Sequence, residues 1–493
     1  MLNTCKVLVI DDNKANRDSY CQILKKYPEY HLNEVSDSKK SLKVMIETAP
    51  DIVLYDLNTA PGILDDDSYH LQKSDPDSRL ATTYLIAMID KDFKPNKIKL
   101  SSKGDADDYL IKPIDPDELL VSIKVGQRVN SRLKKTQLET RKMFEEIDVL
   151  LVQEGGCAPG YNPVTSFITY HLESQGRQVY ATKEGFKSLV SGKNNDFLRL
   201  VYNPDLFKKL DYIPGVFHVA PLSESRGAQL RGERYRDFIK NEIQRKSISS
   251  IKRKKVKVII AIGGNGTFKG IQSLCEMLPT SIQVFFIPVT IDSDIAGTEC
   301  IGQHTGIEMG AEKIRCYMAD ARTHKRTYIL EMMGAQSGFH ALHSCLGSRA
   351  HLAVLPNSVI NHRKVVEAIN HRGECVIVVA EGYKREERTA RGIKANAAEY
   401  FYNELLTTGV KIKKRVVCEP FSRDIRGAAP KNQDISLCQR MAYNVAAYLK
   451  AGTSRLMPAV QAGKEYAIPF NEIKTDNKVD ESLLTLANRL TKE

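Results

Sequence analysis

The chain has 493 residues, 42% of them hydrophobic and 27% charged, an ordinary globular composition that excludes disordered and collagen-like classes and fits about three structural units. Its net charge of +12 is uneven: residues 1–130 hold 18 Lys and Arg against 22 Asp and Glu, a balance of −4 that leaves +16 for the rest and suits that part to phosphorylated ligands. The ten cysteines never form C-x-x-C, and no apolar stretch approaches the roughly 18 residues of a membrane span; acids follow the first apolar run, so zinc ribbons, redox pairs, spans and secretory signals are excluded and a soluble cytoplasmic protein with buried free thiols is expected.

Residues 1–124 alternate short apolar runs (Val7–Ile10, Ile52–Tyr55, Tyr84–Ile89, Asp108–Ile111) with amphipathic stretches. That alternation predicts a parallel sheet with crossover helices, in which function gathers at the carboxyl ends of the strands. Asp11 and Asp12 follow the first run, Asp56 the second, and Lys112 the last, just before Pro113. Three acids and a lysine converging there would form a Mg2+ site with a phosphorylatable carboxylate.

VLVIDDN (7–13), IVLYDLN (52–58) and DYLIKP (108–113), in that order, resemble the receiver domain of two-component response regulators. The resemblance implies a flavodoxin-like fold over 1–124, Mg2+ held by Asp11, Asp12 and Asp56, phosphate accepted by Asp56 from a histidine kinase, and Tyr109 as the aromatic switch residue. One position departs. Where the family carries Ser or Thr at the end of the fourth strand, this chain carries Ile89 or Asp90; an aliphatic cannot donate the expected hydrogen bond, and an acid repels the phosphoryl anion. Two readings stay open: a phospho-switched regulatory module, and a receiver fold kept for interaction or dimerisation.

Residues 125–147 are polar and helix-favouring, with apolar residues at 129, 133, 138 and 144 too sparse for a long coiled coil. They are predicted to extend the receiver's last helix as a helical linker to a body spanning 148–493.

In the body, glycine-rich loops follow apolar strands. Val149–Val152 leads into EGGCAPGYN (154–162), and VKVIIAIGGNGTFKG (256–270) repeats the order of strand, glycines and helix. Such loops let main-chain N–H groups and a helix N-terminus face phosphate, with Thr267 available to add a hydroxyl. The basic runs Lys252–Lys257 and Lys411–Arg415 lack aromatic interleaving or a helix-turn-helix pattern and are read as solvated loop and helix ends, so no nucleic-acid partner is expected. VFFIPVTIDSDIAGT (284–298) places Asp292 and Asp294 one residue apart after a buried run. In extended backbone these side chains share a side, which suits one general base and one metal partner in a single cleft. YILEMMGAQSG (328–338) and CVIVVAEG (375–382) follow, the latter with Glu381 at its strand end.

Together these motifs resemble the phosphofructokinase family over about residues 148–475. GGCAPGYN is similar to its first phosphate loop, GGNGT to its nucleotide loop, TIDSD to its catalytic TIDND, and MMGAQSG to its MGR-type substrate loop; RDIRGAAPKNQD (423–434) and YAIPF (466–470) look most like the ATP-using branch that includes plant enzymes. Lipid and NAD kinases share only the GGDGT-like loop. The resemblance implies two interleaved Rossmann-like α/β lobes, assembly as a homodimer or tetramer, and a Mg2+-assisted transfer of the ATP γ-phosphoryl to the 1-hydroxyl of fructose 6-phosphate. It assigns Asp292 as base, Thr290 as positioner of the transferring group and Asp294 as metal partner. Met333, Gly334 and Glu381 would hold the sugar and Arg426 and Arg326 its phosphate, Arg326 by reaching a neighbouring subunit's site, with Arg415 a second such candidate. Gly155, Gly264, Asn265, Gly266, Thr267 and Gly270 would line the nucleotide site.

The departures are specific. Asn265 replaces the metal-linked Asp of GGDGT, Ala335 replaces the Arg of MGR, and Val289 stands where pyrophosphate users carry Lys. The first weakens a hard-cation site and the second removes a cation from the transferring phosphoryl; the third favours ATP. The leading expectation is therefore a receiver-regulated 6-phosphofructokinase. Its alternative is a non-catalytic or weakly active sugar-phosphate or nucleotide sensor coupled to a signalling domain.

Overall fold

The computed structural model describes residues 4–58, 67–75, 78–92, 106–232, 234–334, 336–421, 423–477, 479–480 and 482–491. The chain divides into two compact units, Met1–Met143 and Phe144–Glu493.

In the first unit, β1 (Cys5–Ile10), β2 (Tyr30–Val35), β3 (Ile52–Asp56), β4 (Tyr84–Asp90) and β5 (Asp108–Lys112) form a parallel sheet in the order β2-β1-β3-β4-β5, the flavodoxin-like arrangement. Alternate residues of the central strands feed opposite faces. Val7, Val9, Ile52, Leu54, Ile86 and Met88 pack on one side with Leu119 and Ile123, and Leu8, Ile10, Val53, Tyr55, Leu85 and Ala87 on the other with Met45 and Tyr69. The last helix runs unbroken over 28 residues, Pro116–Met143, about 42 Å at 1.5 Å per residue. Past residue 124 it stays tied to the sheet: buried Asn130 donates to Asp51 O (3.1 Å) and Thr82 O (2.7 Å), at the bases of β3 and β4, and Lys134 pairs with Asp51.

The second unit contains two sheets. The larger has eight strands in the order β17-β16-β11-β10-β6-β7-β8-β9: β6 (Val149–Glu154), β7 (Val179–Thr182), β8 (Phe197–Val201), β9 (Val216–His218), β10 (Val258–Gly263), β11 (Gln283–Pro288), β16 (Leu456–Gln461) and β17 (Lys464–Pro469). The smaller has β12 (Thr327–Met332), β13 (Leu352–Val354), β14 (Cys375–Ala380) and β15 (Val416–Phe421) in the order β13-β14-β12-β15. The chain enters the small lobe through helix Gln303–His324 and returns through helix Asn432–Lys450, so the lobes interleave.

The register of the central strands positions the site. Gly263 pairs with Glu154 and with Pro288, so β6, β10 and β11 end level; in the small sheet Met332 pairs with Ala380 and Phe421, so β12, β14 and β15 do the same. The TIDSD segment departs from the expected extended strand. β11 stops at Pro288, and Ser293, between the two acids, turns with φ 49°.

All ten cysteines are free; Cys316 is exposed and Cys157 and Cys418 are half-buried, while the others are buried. Among the described residues no helix is long and apolar enough to cross a membrane. In the run Lys252–Lys257 the residues Lys252, Arg253, Lys255 and Lys257 are exposed, Lys255 pairing with Glu146 (2.5 Å), while the Lys254 ammonium is buried against Asn194 Oδ1 (2.6 Å).

Candidate functional site

The loop after β10 closes on that after β6. A Cβ on Gly263 would lie 2.2 Å from Thr267 Oγ1 and 2.4 Å from Glu154 O, so only glycine allows this approach. Gly264 caps helix Asn265–Met277 without a side-chain bond, which leaves first-turn N–H groups facing the crevice. The Thr267 hydroxyl donates to Glu154 O (2.9 Å), joining the two loops. Gly155, at φ 105°, turns the first loop into the same space.

These loops and the TIDSD turn enclose a cavity of about 380 Å³ lined by Gly155, Gly264, Asn265, Gly266, Thr267, Gly270, Thr290, Asp292, Asp294 and Arg426. Asp292 and Asp294 thus share one space, brought together by a left-handed turn rather than by strand periodicity. Asp292 N donates to Thr290 Oγ1 (3.0 Å) and the Ser337 hydroxyl to Asp292 O. Burial pushes the Asp292 carboxyl up to about 6; Arg426, 3.2 Å away, opposes this, and the nearby Asp294 and Glu381 add to it. Asp294 is also raised by burial, against hydrogen bonds from its own backbone and from Asn265 and the charges of Lys269 and Arg426. Two buried oxygens in this corner, Asn265 Oδ1 and Asp294 Oδ1, have no hydrogen-bond partner among the described residues.

Small-lobe strand ends supply a second group. Gly334 N donates to Glu381 Oε1 (3.4 Å), Glu381 N to Met332 O (2.9 Å) and Arg388 to Glu381 O (2.5 Å). This places Met333, Gly334 and Glu381 beside one another, outside the lining of the 380 Å³ cavity. Arg326 is not brought to them. It precedes β12, at the far end of a six-residue strand about 20 Å long, where it pairs with Asp320 (3.7 Å) and Tyr328 Oη (3.4 Å). Arg415 is at that end too, its carbonyl accepting Thr327 N (2.9 Å). Ala335 lies outside the described residues.

In the first unit, ligand oxygens of Asp11, Asp12 and Asp56 lie within 4.8 Å of one another. Lys112 Nζ is 2.8 Å from Asp56 Oδ1 and 3.9 Å from Asp11 Oδ2 and Asp90 Oδ1. Burial raises Asp11 above the ordinary carboxylate range, against hydrogen bonds from Asn13 N and Asn16 and the Lys112 charge. Of the two candidates at the end of β4, Asp90 is the one that faces this site; Asn58 Nδ2 donates to its Oδ2 (2.5 Å). Tyr109 is 40% exposed on edge strand β5.

The phosphofructokinase family profile matches residues 148–449 and the response regulator receiver domain profile residues 7–124. The chain belongs to the phosphofructokinase family. Curated relatives include the ATP-dependent 6-phosphofructokinases of Thermotoga neapolitana, 27% identical over 70% of this chain and 99% of that one, Aquifex aeolicus, 27% over 69% and 98%, and Listeria monocytogenes, 28% over 70% and 99%. Among solved structures, Pichia pastoris phosphofructokinase in the T-state superposes with a TM-score of 0.55 at 19% identity, over 66% of this chain and 35% of that chain's length. A pyrophosphate-dependent phosphofructokinase from Nitrosospira multiformis gives 0.56 at 17%, over 68% and 86%. At these identities the structural likeness concerns the fold.

The phosphofructokinase body also lines its cavity with residues to which the sequence reading gave no role: Glu154, Phe186, Arg234, Tyr235, Phe238 and Lys269. Phe186 and Phe238 stack with centroids 3.7 Å apart and planes 3° apart, and Gly270 is glycine because a Cβ would meet Phe186 at 2.8 Å. Arg234 and Arg426 both lie against Gly156. Only Lys269 left a trace in sequence, four residues after Asn265 and so on the same helix face. Buried Glu154 organises the rest, accepting Phe186 N on Oε2 (2.8 Å) and Tyr235 N on Oε1 (2.7 Å). Glu154→Gln turns one acceptor into a donor facing an N–H. It is expected to lower the stability of this unit by about 2 kcal/mol, read as an earlier urea midpoint of its transition in the full chain; an unchanged midpoint refutes the clamp.

Proposed function

We propose that this chain is an ATP-dependent 6-phosphofructokinase, carrying the γ-phosphoryl of ATP to the 1-hydroxyl of fructose 6-phosphate under the influence of its receiver domain. The observation that carries this reading is Asp292: a buried carboxylate raised to about 6, ionised at neutral pH, and beside a cation at 3.2 Å. It faces a helix N-terminus built for phosphate. Asp292 takes the proton of the sugar hydroxyl as that oxygen attacks the terminal phosphorus of ATP, and ADP leaves with the bridging oxygen. Thr290 accepts from Asp292 N through its hydroxyl oxygen, so its own proton remains to donate to the phosphoryl group.

The phosphate chain faces the N–H groups after Gly155 and Gly264, with Arg234, Arg426 and Lys269 as counter-charge. The unpaired oxygens of Asn265 and Asp294 fit Mg2+, which when bound neutralises phosphate oxygens. Half-buried Tyr235, backed by the buried Phe186–Phe238 stack, gives an aromatic contact beside the phosphate loops that suits a nucleoside donor, as does the apolar Val289. Met333, Gly334 and Glu381 hold the sugar, and Arg426 the anionic group next to Asp292. Arg326, remote from its own cavity, serves a neighbouring subunit, so the active unit is a dimer or tetramer working in the cytoplasm. In the receiver, Asp11, Asp12 and Asp56 hold Mg2+ and Asp56 accepts phosphate from a histidine kinase. The uncharged Asn265 favours a second reading, a sensor that binds sugar phosphate or nucleotide without turnover.

Purified protein is expected to release ADP only with both fructose 6-phosphate and Mg2+ present, and Asp292→Asn to lose about 10³-fold in kcat. Wild-type kcat/KM should fall with unit slope below about pH 6, as the base becomes protonated. Thermal stabilisation by these ligands with no product from ATP or pyrophosphate on any sugar phosphate selects the sensor instead. In the receiver, Asp90→Thr removes a negative charge near Lys112 and Asp56. It should raise Asp56 phosphorylation by phosphoramidate about tenfold, seen as a gel-mobility shift; an unaltered level removes the case for repulsion.

A further inference from the structure

We propose that the segment 473–477 is a positioning strap that fixes the turn carrying Asp292 and Asp294, and that position 265 is an amide because it is tied to that strap; the catalytic consequence rests on the reading above. The family match ends at 449, so the strap lies beyond it. After β17 the chain is anchored by Phe470, which is buried edge-on against Phe268 at 5.5 Å and whose carbonyl accepts from Gln272 Nε2 (3.2 Å).

The strap then bonds to the site residue by residue. Ala296 N donates to Lys474 O (2.9 Å), Asn265 Nδ2 to Thr475 O (3.2 Å), Asn477 Nδ2 to Ser293 O (2.9 Å) and Asn477 N to Asp294 O (3.4 Å). Farther on, Val479, Leu483, Leu484 and Ala487 pack into the small-lobe core, and Arg489 N donates to His351 O (2.7 Å). The strap therefore follows an anchor on the large lobe and precedes one on the small lobe, and it touches the backbone on both sides of Asp294.

Ser293 is the residue that needs holding. It has φ 49°, a region that side-chain-bearing residues rarely adopt. Its hydroxyl is fixed by Gln303 Oε1 (3.0 Å) and its carbonyl by Asn477; relaxing this turn would swing both neighbouring carboxylates. The same contacts account for Asn265. Its Nδ2 donates to a main-chain carbonyl while its Oδ1 faces the cavity corner with Asp294 Oδ1. An aspartate would set an acceptor-only group against Thr475 O. The amide keeps its oxygen for a cation, while its nitrogen serves the strap as well as the Asp294 carboxylate.

The test uses the full chain with Asn477→Ala and, as an isosteric check that keeps volume but removes the donor, Asn477→Asp. Amide hydrogen exchange across residues 290–296 should accelerate about tenfold in both while the thermal midpoint moves little. In turnover, kcat should fall about tenfold with KM for either substrate within about twofold. Asn265→Asp should lower kcat, not raise it. Unchanged exchange at 290–296 overturns the strap whether or not the protein turns over. Normal kcat in the Asn477 variants, or a gain of activity in Asn265→Asp, overturns it while leaving the kinase reading standing. A wild type inactive on every sugar phosphate defeats the kinase reading, and the exchange measurement still decides the strap.

Discussion

Gly263 pairs with Glu154 on one side and Pro288 on the other, and this three-strand register governs the chemistry of the body. Parallel strands that end level release their loops into one crevice, here the GGCAPG loop, the GGNGT loop with its helix, and the TIDSD turn. A slip of one residue would turn alternate side chains to the wrong face and carry Glu154 away from the backbone amides it holds. The absent side chain at Gly263 makes the register dense enough for Thr267 to bond across to Glu154. The small sheet repeats the device with Met332, Ala380 and Phe421. Arg426, from the short helical turn Arg423–Gly427 after β15, then joins the lobes by its ion pair with Asp292. That pair does not fully compensate burial. Asp292 is raised from 3.8 to about 6, so the native state binds its proton more tightly than the unfolded chain does. Stability is lost as pH rises from about 4 through 6, by roughly 3 kcal/mol. A fold that keeps an ionised carboxylate there at neutral pH gives up stability at the place where, on the proposed reading, a base acts.

In the receiver, charge sets the problem. Four carboxylates, Asp11, Asp12, Asp56 and Asp90, surround one ammonium, Lys112, which contacts Asp56 closely and reaches two of the others at 3.9 Å. Such an excess of negative charge favours a divalent cation and disfavours a second anion. Asp90 therefore pushes the domain toward holding metal and away from holding phosphate, relative to a receiver with a hydroxyl at that place.

How far the sequence could be read depends on where each signal lives. Strands β1, β3 and β4 are apolar on both faces and stand out; β2 is a sheet edge whose interior positions 31–34 are half-buried or exposed, so no hydrophobic run announced it. Ile89 and Asp90 were indistinguishable until the pleat turned one inward and the other to the site. The convergence of Asp292 and Asp294 was legible from motif order, but its cause was not: spacing suggested an extended strand, whereas a left-handed Ser293 brings them together. Glu154 and Tyr235 meet across 81 residues, and Arg234 lies in a polar stretch with neither glycine loop nor periodicity. Such contacts are products of tertiary packing and leave no local trace.

An amide at 265 alters how the cavity is charged. Replacing a carboxylate by Asn removes a formal negative charge from the corner shared with Asp294, and a hard cation is bound less tightly with each charge lost. The same helix carries Lys269 one turn on, and Arg234 and Arg426 both lie against Gly156. On the proposed reading, a phosphate chain here meets the exposed cations of Lys269 and Arg234 and the half-buried Arg426, beside a metal corner with one negative charge fewer. Of these, Arg426 is held by its ion pair with Asp292 at 3.2 Å, and on the proposed reading a cation placed in advance stabilises a transferring phosphoryl group with little reorganisation. On that reading, countercharge lost from the metal corner is supplied by the protein itself, and the Glu154 clamp, which holds Tyr235 next to Arg234, and the turn after β15 that carries Arg426 set where that charge stands.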